Sequence, residues 1–201
     1  MTPQQFETGQ QVATFIAPGP ALATLPPLPG ITFVGIGHRA RNGKDSVATL
    51  LSTLLGPQAR VYHFADPLKA YCRIVCGMTG KDGPLLQQIG TNILRAQDPD
   101  IWIRTTYWTV ADDRPVYAIV PDMRFPNEAD FVRQMGGVTV QVRRICEDGT
   151  QFTDPHRDPN HPSERALDGY AGWDYRFDIP DGHPECLNEA ARWLVGALAG
   201  R

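Results

Sequence analysis

Short apolar runs and longer stretches with helical spacing alternate along the chain. Ile31 to Val34 is a compact apolar run; the turn after it carries Gly35, Gly37 and Gly43, and Lys44 opens a helix predicted to reach about Leu55. Arg60 to Ala65 reads as a second strand. Asp66 follows it, placed either to cap the next helix ahead of Pro67 or to face a ligand at the strand's end. Cys72 and Cys76 fall one turn apart on what reads as that helix's buried face. Leu85, Leu86, Ile89, Ile93 and Leu94 predict an amphipathic helix over residues 84–97. Asp98 to Asp100 stops it, and a further helix spans Ile101 to Val110, with Arg104 read as a solvated cation.

Val116 to Val120 has the composition of a central strand; Asp122 and Arg124 emerge just beyond it, and Asn127 is placed to cap a helix over Glu128 to Met135. A glycine turn at Gly136 and Gly137 leads into a strand ending near Val142, followed by Arg143 and Arg144. The polar segment from there to His161 has no periodicity and reads as a mobile loop, and His161 to Glu164 starts a short helix. Tyr175 to Ile179 is a last strand. Glu185 to Leu198 is a closing helix with Leu187, Ala190, Ala191, Leu194 and Leu198 inward. Strands alternating with helices specify an α/β domain around a mainly parallel sheet.

Residues 1–30 stand apart, with six prolines and one charged side chain, Glu7. They form an arm, either disordered or docked through Phe6, Val12, Phe15 and Ile16 on the domain or on a second subunit. At 201 residues and 42% hydrophobic content the rest is long enough for one full core. A formal net charge of −3 leaves no general footprint for polymeric nucleic acid but is compatible with a local cationic cleft. The four cysteines form no CxxC pair, no secretory signal is apparent, and no run reaches the length of a membrane span. A cytoplasmic protein with reduced thiols is expected. His156, Asp158 and His161 lack the second ligand pair of a structural zinc site.

The most informative chemistry lies between Ile31 and Ala48. A strand, a glycine-bearing cationic turn and a helix start make an anion site, because the first turn of a helix offers unpaired N–H groups and a partial positive charge. Lys44 adds a full charge. Against the phosphate-loop pattern GxxxxGK[ST], His38 stands where the first glycine belongs, Asp45 stands where the hydroxyl belongs, and Ser46 carries the hydroxyl one position later. The stretch from Val116 to Glu128 supplies a second half. There a carboxylate, Asp122, and an arginine, Arg124, follow a strand, which is where a phosphate-loop protein holds Mg²⁺ through an acid.

Taken in order, the segments GHRARNGKDSVA, FADPLK, LLQQIGTNILR, DPDIWI, PDMRFPNEAD and HPSE resemble the deoxynucleoside monophosphate kinase family of tailed bacteriophages, within the P-loop nucleoside monophosphate kinase superfamily. The resemblance spans residues 31–198. It implies a three-layer α/β/α fold of the P-loop type with a helical monophosphate-binding subregion at 66–112 and a short lid at 143–162. It further implies transfer of the γ-phosphoryl group of ATP to a deoxynucleoside 5′-monophosphate, with Mg²⁺, in a homodimer, in the host cytoplasm if phage-encoded. The family usually carries glycine where His38 stands, and threonine where Ser46 stands.

Carried over by position, the resemblance assigns ATP to Gly37, His38, Arg39, Ala40, Arg41, Asn42, Gly43, Lys44, Asp45, Ser46 and Val47. Ser46 and Asp122 would serve the metal, in part through water. Lys44, Arg124 and Asp122 would be catalytic, and Asp66, Lys69, Gln88, Arg95, Arg124 and Glu128 would border the acceptor. Arg143 and Arg144 would belong to the lid. A nucleotide-binding module without catalysis, or a kinase for another small acceptor such as dephospho-coenzyme A or a modified-base nucleotide, are the alternatives. No serine sits in a nucleophile elbow.

Overall fold

A computed structural model describes residues 19–80 and 82–200. Five parallel strands form one sheet in the order β2-β3-β1-β4-β5: β1 Thr32–Gly37, β2 Ala59–Val61, β3 Tyr117–Met123, β4 Val138–Ile145 and β5 Tyr175–Pro180. The central strand β1 alternates across the sheet. Phe33 packs on one face and Val34 and Ile36 on the other, all fully buried. On the Val34 face lie α1 (Lys44–Leu55) and α7 (Glu185–Ala199), which bury Val47, Ala48, Leu51, Ala191 and Leu194. On the Phe33 face lie α2 (Ala65–Val75), α4 (Ile101–Asp113) and α5 (Pro126–Gln134), whose core includes Cys72, Ile103, Tyr107, Phe131 and Val132. Two-sided burial explains the apolar runs at the centre of β1 and β3. Among the described residues, no helix is long and apolar enough to cross a membrane.

Between α2 and α4, α3 (Gly83–Gln87) passes directly into a π-helical stretch, Gln88–Arg95. The single α-helix expected over 84–97 is thus wider in its second half. Gly90 lets this stretch approach α2 and α4 closely: a Cβ there would stand 2.2 Å from Leu68 Cδ2, and its carbonyl accepts from the Trp102 indole at 3.2 Å.

Several local expectations are corrected by tertiary contacts. β2 is three residues long because Asp122 captures the chain: its carboxylate accepts from the backbone N–H groups of Phe64 and Ala65, at 2.9 and 3.0 Å, and starts α2. Asp66 therefore caps nothing and pairs instead with Lys69 at 2.8 Å. Asn127 does not cap α5 either. Glu128 reaches back to the N–H groups of Arg124 and Phe125, at 2.6 and 3.1 Å, while the Asn127 amide ties α5 to Pro99 and Asp100. Cys76 is exposed.

Arg104 is buried, not solvated; it pairs with buried Asp98 and donates to the Pro20 carbonyl at 3.3 Å. Tyr107 and Gln134 donate to the carbonyls of Pro26 and Leu22, and Leu25 is buried. The described part of the arm, residues 19–30, is therefore docked on α4 and α5. Phe6, Val12, Phe15 and Ile16 lie outside the described residues. Arg104→Ala should cost about 3–5 kcal/mol in urea unfolding, because it strands the buried Asp98 charge. A loss below 1 kcal/mol would show that the pair is not a structural anchor.

Candidate active site

β1 ends at Gly37 in the middle of the sheet, and the chain must turn sharply to enter α1. His38, Arg41 and Gly43 take positive φ, at 101°, 54° and 92°. Alternation of that kind makes the concave backbone that gathers N–H groups around an anion. A Cβ at Gly43 would stand 2.8 Å from Leu187 Cδ2, so the end of that side chain would have to shift to admit one.

His38 holds a glycine-type conformation because its side chain is anchored on both nitrogens. The Gln151 amide nitrogen can only donate, so Nδ1 accepts from it at 2.8 Å and the ring proton on Nε2 goes to Asp168 at 3.0 Å. Burial pushes the imidazole down to about 4, so it is neutral at ordinary pH. The ring does not line the cavity beside the loop. Asn42 fixes the other end of the turn: buried, it accepts from the Arg144 N–H at 2.7 Å and donates to the Ala40 carbonyl.

That cavity has a volume of about 730 Å³ and is lined by Ala40, Arg41, Lys44 and Asp45 from the loop and α1, and by Arg124 from the end of β3. Gln87 and Thr91 come from the helix pair opposite, and Arg157, His161 and Glu164 from the segment after β4 and from α6 (Pro162–Arg165). Lys44 is buried and donates to the Arg39 carbonyl at 2.6 Å; burial and nearby Arg124 push its ammonium down to about 7. Burial likewise lowers Arg124 and raises Asp122 and Glu128.

The arginines expected to make a cationic cleft are each matched by an acid. Arg39 pairs with Asp168 at 2.9 Å, Arg41 with Asp154 at 3.0 Å, and Arg124 with Glu164 at 3.3 Å. Arg143 and Arg144 lie inside β4, paired with Asp178 and Asp181 of the β5 edge, away from the cavity wall. They do not start a lid. Asp66, Lys69, Gln88, Arg95 and Glu128 are also absent from the wall, as are Ser46 and Asp122. Gln88 holds Asn92, and Arg95 stacks on Phe125 and pairs with Glu128 at 2.7 Å. From that helix Pro84, Leu86, Gln87 and Thr91 line the cavity, and Gln87 and Thr91 bring its polar side chains. Ser46 is exposed in the first turn of α1.

The side chains around the loop and cavity that motif reading missed are Gln151, Asp154, Arg157 and Asp168. The first three lie in the aperiodic stretch after β4 and Asp168 in the turn after α6, and spacing gives no hint of the contacts they make. Glu164 stood within the HPSE segment, but without an assigned role.

No family model matches the chain. A protein of Acanthamoeba polyphaga mimivirus named "Putative deoxynucleotide monophosphate kinase" is 26% identical over 178 residues, 72% of this chain and 86% of the other, and is a distant homologue. A crystal structure of a "putative kinase" from Chloroflexus aurantiacus superposes with a TM-score of 0.51 at 11% identity, covering 85% of this chain and 97% of that one. The fold, an α/β arrangement around a five-stranded parallel sheet, is similar to that of this structure. In this fold the strand order and the loop after the central strand put Lys44 and Arg124 on one cavity, at the carboxyl ends of β1 and β3.

An anion arriving at this P-loop favours the charged form of Lys44. Since the free ammonium sits near 7 and a bound phosphate raises it, ATP binding at pH 8 should take up a proton, and affinity should fall as pH rises above about 7. Calorimetry in buffers of different ionisation enthalpy measures this uptake. Lys44→Met should abolish it, and equal uptake by that variant would assign the proton elsewhere.

Proposed function

We propose that this chain transfers the γ-phosphoryl group of ATP to a deoxynucleoside 5′-monophosphate, giving the diphosphate. The observation that carries the reading is the convergence on one cavity of a compound turn at a helix N-terminus, its lysine, and two further arginines, Arg124 and Arg157. The name of the mimivirus homologue supports the choice of acceptor.

The chemistry asks little covalent work of the protein. A phosphate monoester has a second pKa of about 6, so its attacking oxygen is already ionised near neutrality and no general base is required. The loop N–H groups and Lys44 hold the donor phosphates, and Arg124 neutralises charge on the group in transit. Gln87 and Thr91 offer amide and hydroxyl groups to the acceptor from the opposite wall. Holding both substrates in line supplies the rest.

The donors near the loop suit Mg²⁺, which prefers oxygen ligands. The Ser46 hydroxyl is exposed on the first turn of α1, and each Asp122 oxygen keeps a lone pair after accepting one N–H. Ser46 would hold the ion directly and Asp122 through water; when bound, it would offset the charge of the donor phosphates.

A panel of the common deoxynucleoside monophosphates with ATP and Mg²⁺ tests the reading. Diphosphate should form from at least one of them, and Lys44→Ala should lower turnover by about 10²-fold or more with the fold retained. Transfer to none of them would overturn the assignment, and transfer only to a non-nucleotide or modified acceptor would redirect it.

A further inference from the structure

Glu164 is the third residue of α6, with a carboxylate almost wholly buried at the cavity wall. Three separate parts of the chain meet on it. Its Oε2 accepts the backbone N–H of Ala40 in the phosphate loop at 2.9 Å. Its Oε1 accepts from Nη1 of Arg124, at the end of β3, at 3.3 Å, and from Nη1 of Arg157, in the segment after β4, at 3.1 Å. Two guanidinium groups this close repel one another and would splay apart in a site without a shared anion. A guanidinium has five N–H donors, and Glu164 takes one from each arginine, leaving donors on both for a ligand.

α6 is also fixed from below. His161 caps it through Nδ1, which accepts from the Ser163 N–H at 3.2 Å, and one turn after Glu164 the Asp168 carboxylate grips Arg39 and His38. Glu164 and Asp168 thus hold three consecutive loop residues, 38 to 40, from α6 and the turn that follows it. A carboxylate so enclosed, on a braced backbone, is a fixture of the site and not a movable plug.

We propose that Glu164 is a positioning residue that sets Arg124 and Arg157 side by side, in register with the phosphate loop, so that together they grip the terminal phosphate of a nucleoside triphosphate. This deepens the kinase reading and rests on it for the reaction, but the grip itself is a binding property. The loop alone handles the inner phosphates. The arginine pair then discriminates a triphosphate from a diphosphate, and Arg157, carried by the segment after β4, is a terminal-phosphate contact.

The test is the ratio of ADP to ATP dissociation constants, measured by calorimetry on the full chain. Glu164→Gln keeps the shape and an acceptor for Ala40 but removes the charge shared by the arginines. The native protein should prefer ATP, and the variant should lose about tenfold or more of that preference, with ADP affinity within about twofold of native. Arg157→Gln, on a half-exposed side chain that does not threaten the fold, should lose the same preference, and the double variant should fall little further. Equal weakening of ATP and ADP, no change in the ratio, or multiplying losses in the double variant would overturn the proposal. Loss of the ratio as expected, alongside no transfer to any deoxynucleoside monophosphate, would leave the grip standing and remove the kinase reading alone.

Discussion

Positive charge collected at the carboxyl ends of β1 and β3 has to be held in position before any phosphate is present, and buried or half-buried carboxylates do this. Asp122 anchors the start of α2, Glu128 anchors the backbone of Arg124, Glu164 joins Arg124 and Arg157 to the loop, and Asp168 joins Arg39 and His38 to the turn after α6. Each acid is satisfied by several donors, which is what makes its burial tolerable. The result is a set of cations fixed in direction, able to meet an anion without reorganising first.

His38 belongs to the same scheme. A glycine reaches φ near 100° without steric cost, whereas a histidine reaches it against a penalty, so the conformation must be held by its surroundings. Gln151 and Asp168 do the holding, one on each ring nitrogen. Because both lie after β4, the shape of the phosphate loop depends on the segment that also carries Arg157. In a loop with glycine at that position the turn would be shaped by its own backbone; here loop and segment are built as one unit.

The fold was legible in the sequence wherever a periodic pattern was long. β1, α1, β3, α5 and α7 fall where apolar spacing puts them, since each is set by a buried face. The site was legible where it is local: the turn at 37–44 and the Arg124 strand end both come from short contiguous motifs. What could not be read are contacts between distant segments. Asp122 looked like a metal acid and also starts α2; Asn127 looked like a cap and is displaced by Glu128, which reaches back from within the helix; Arg143 and Arg144 looked like a lid and are strand residues neutralised by the neighbouring β5 edge. None of these outcomes follows from composition, because each depends on which side chain arrives first at a backbone N–H or a guanidinium. Arg104 is the clearest case, since only the packing of residues 19–30 against α4 turns a helix cation into a buried anchor.

The loop after β1 thus carries an anchored histidine at its glycine position, and carboxylates align the cations around it. A crystal structure with a non-hydrolysable ATP analogue tests it most directly. The β-phosphate should lie within the turn of residues 38–44, with the His38 ring still between Gln151 and Asp168 and the ammonium of Lys44 moved from the Arg39 carbonyl to the phosphates. A nucleotide bound elsewhere, or His38 driven out of its two hydrogen bonds to admit the phosphate, would contradict it.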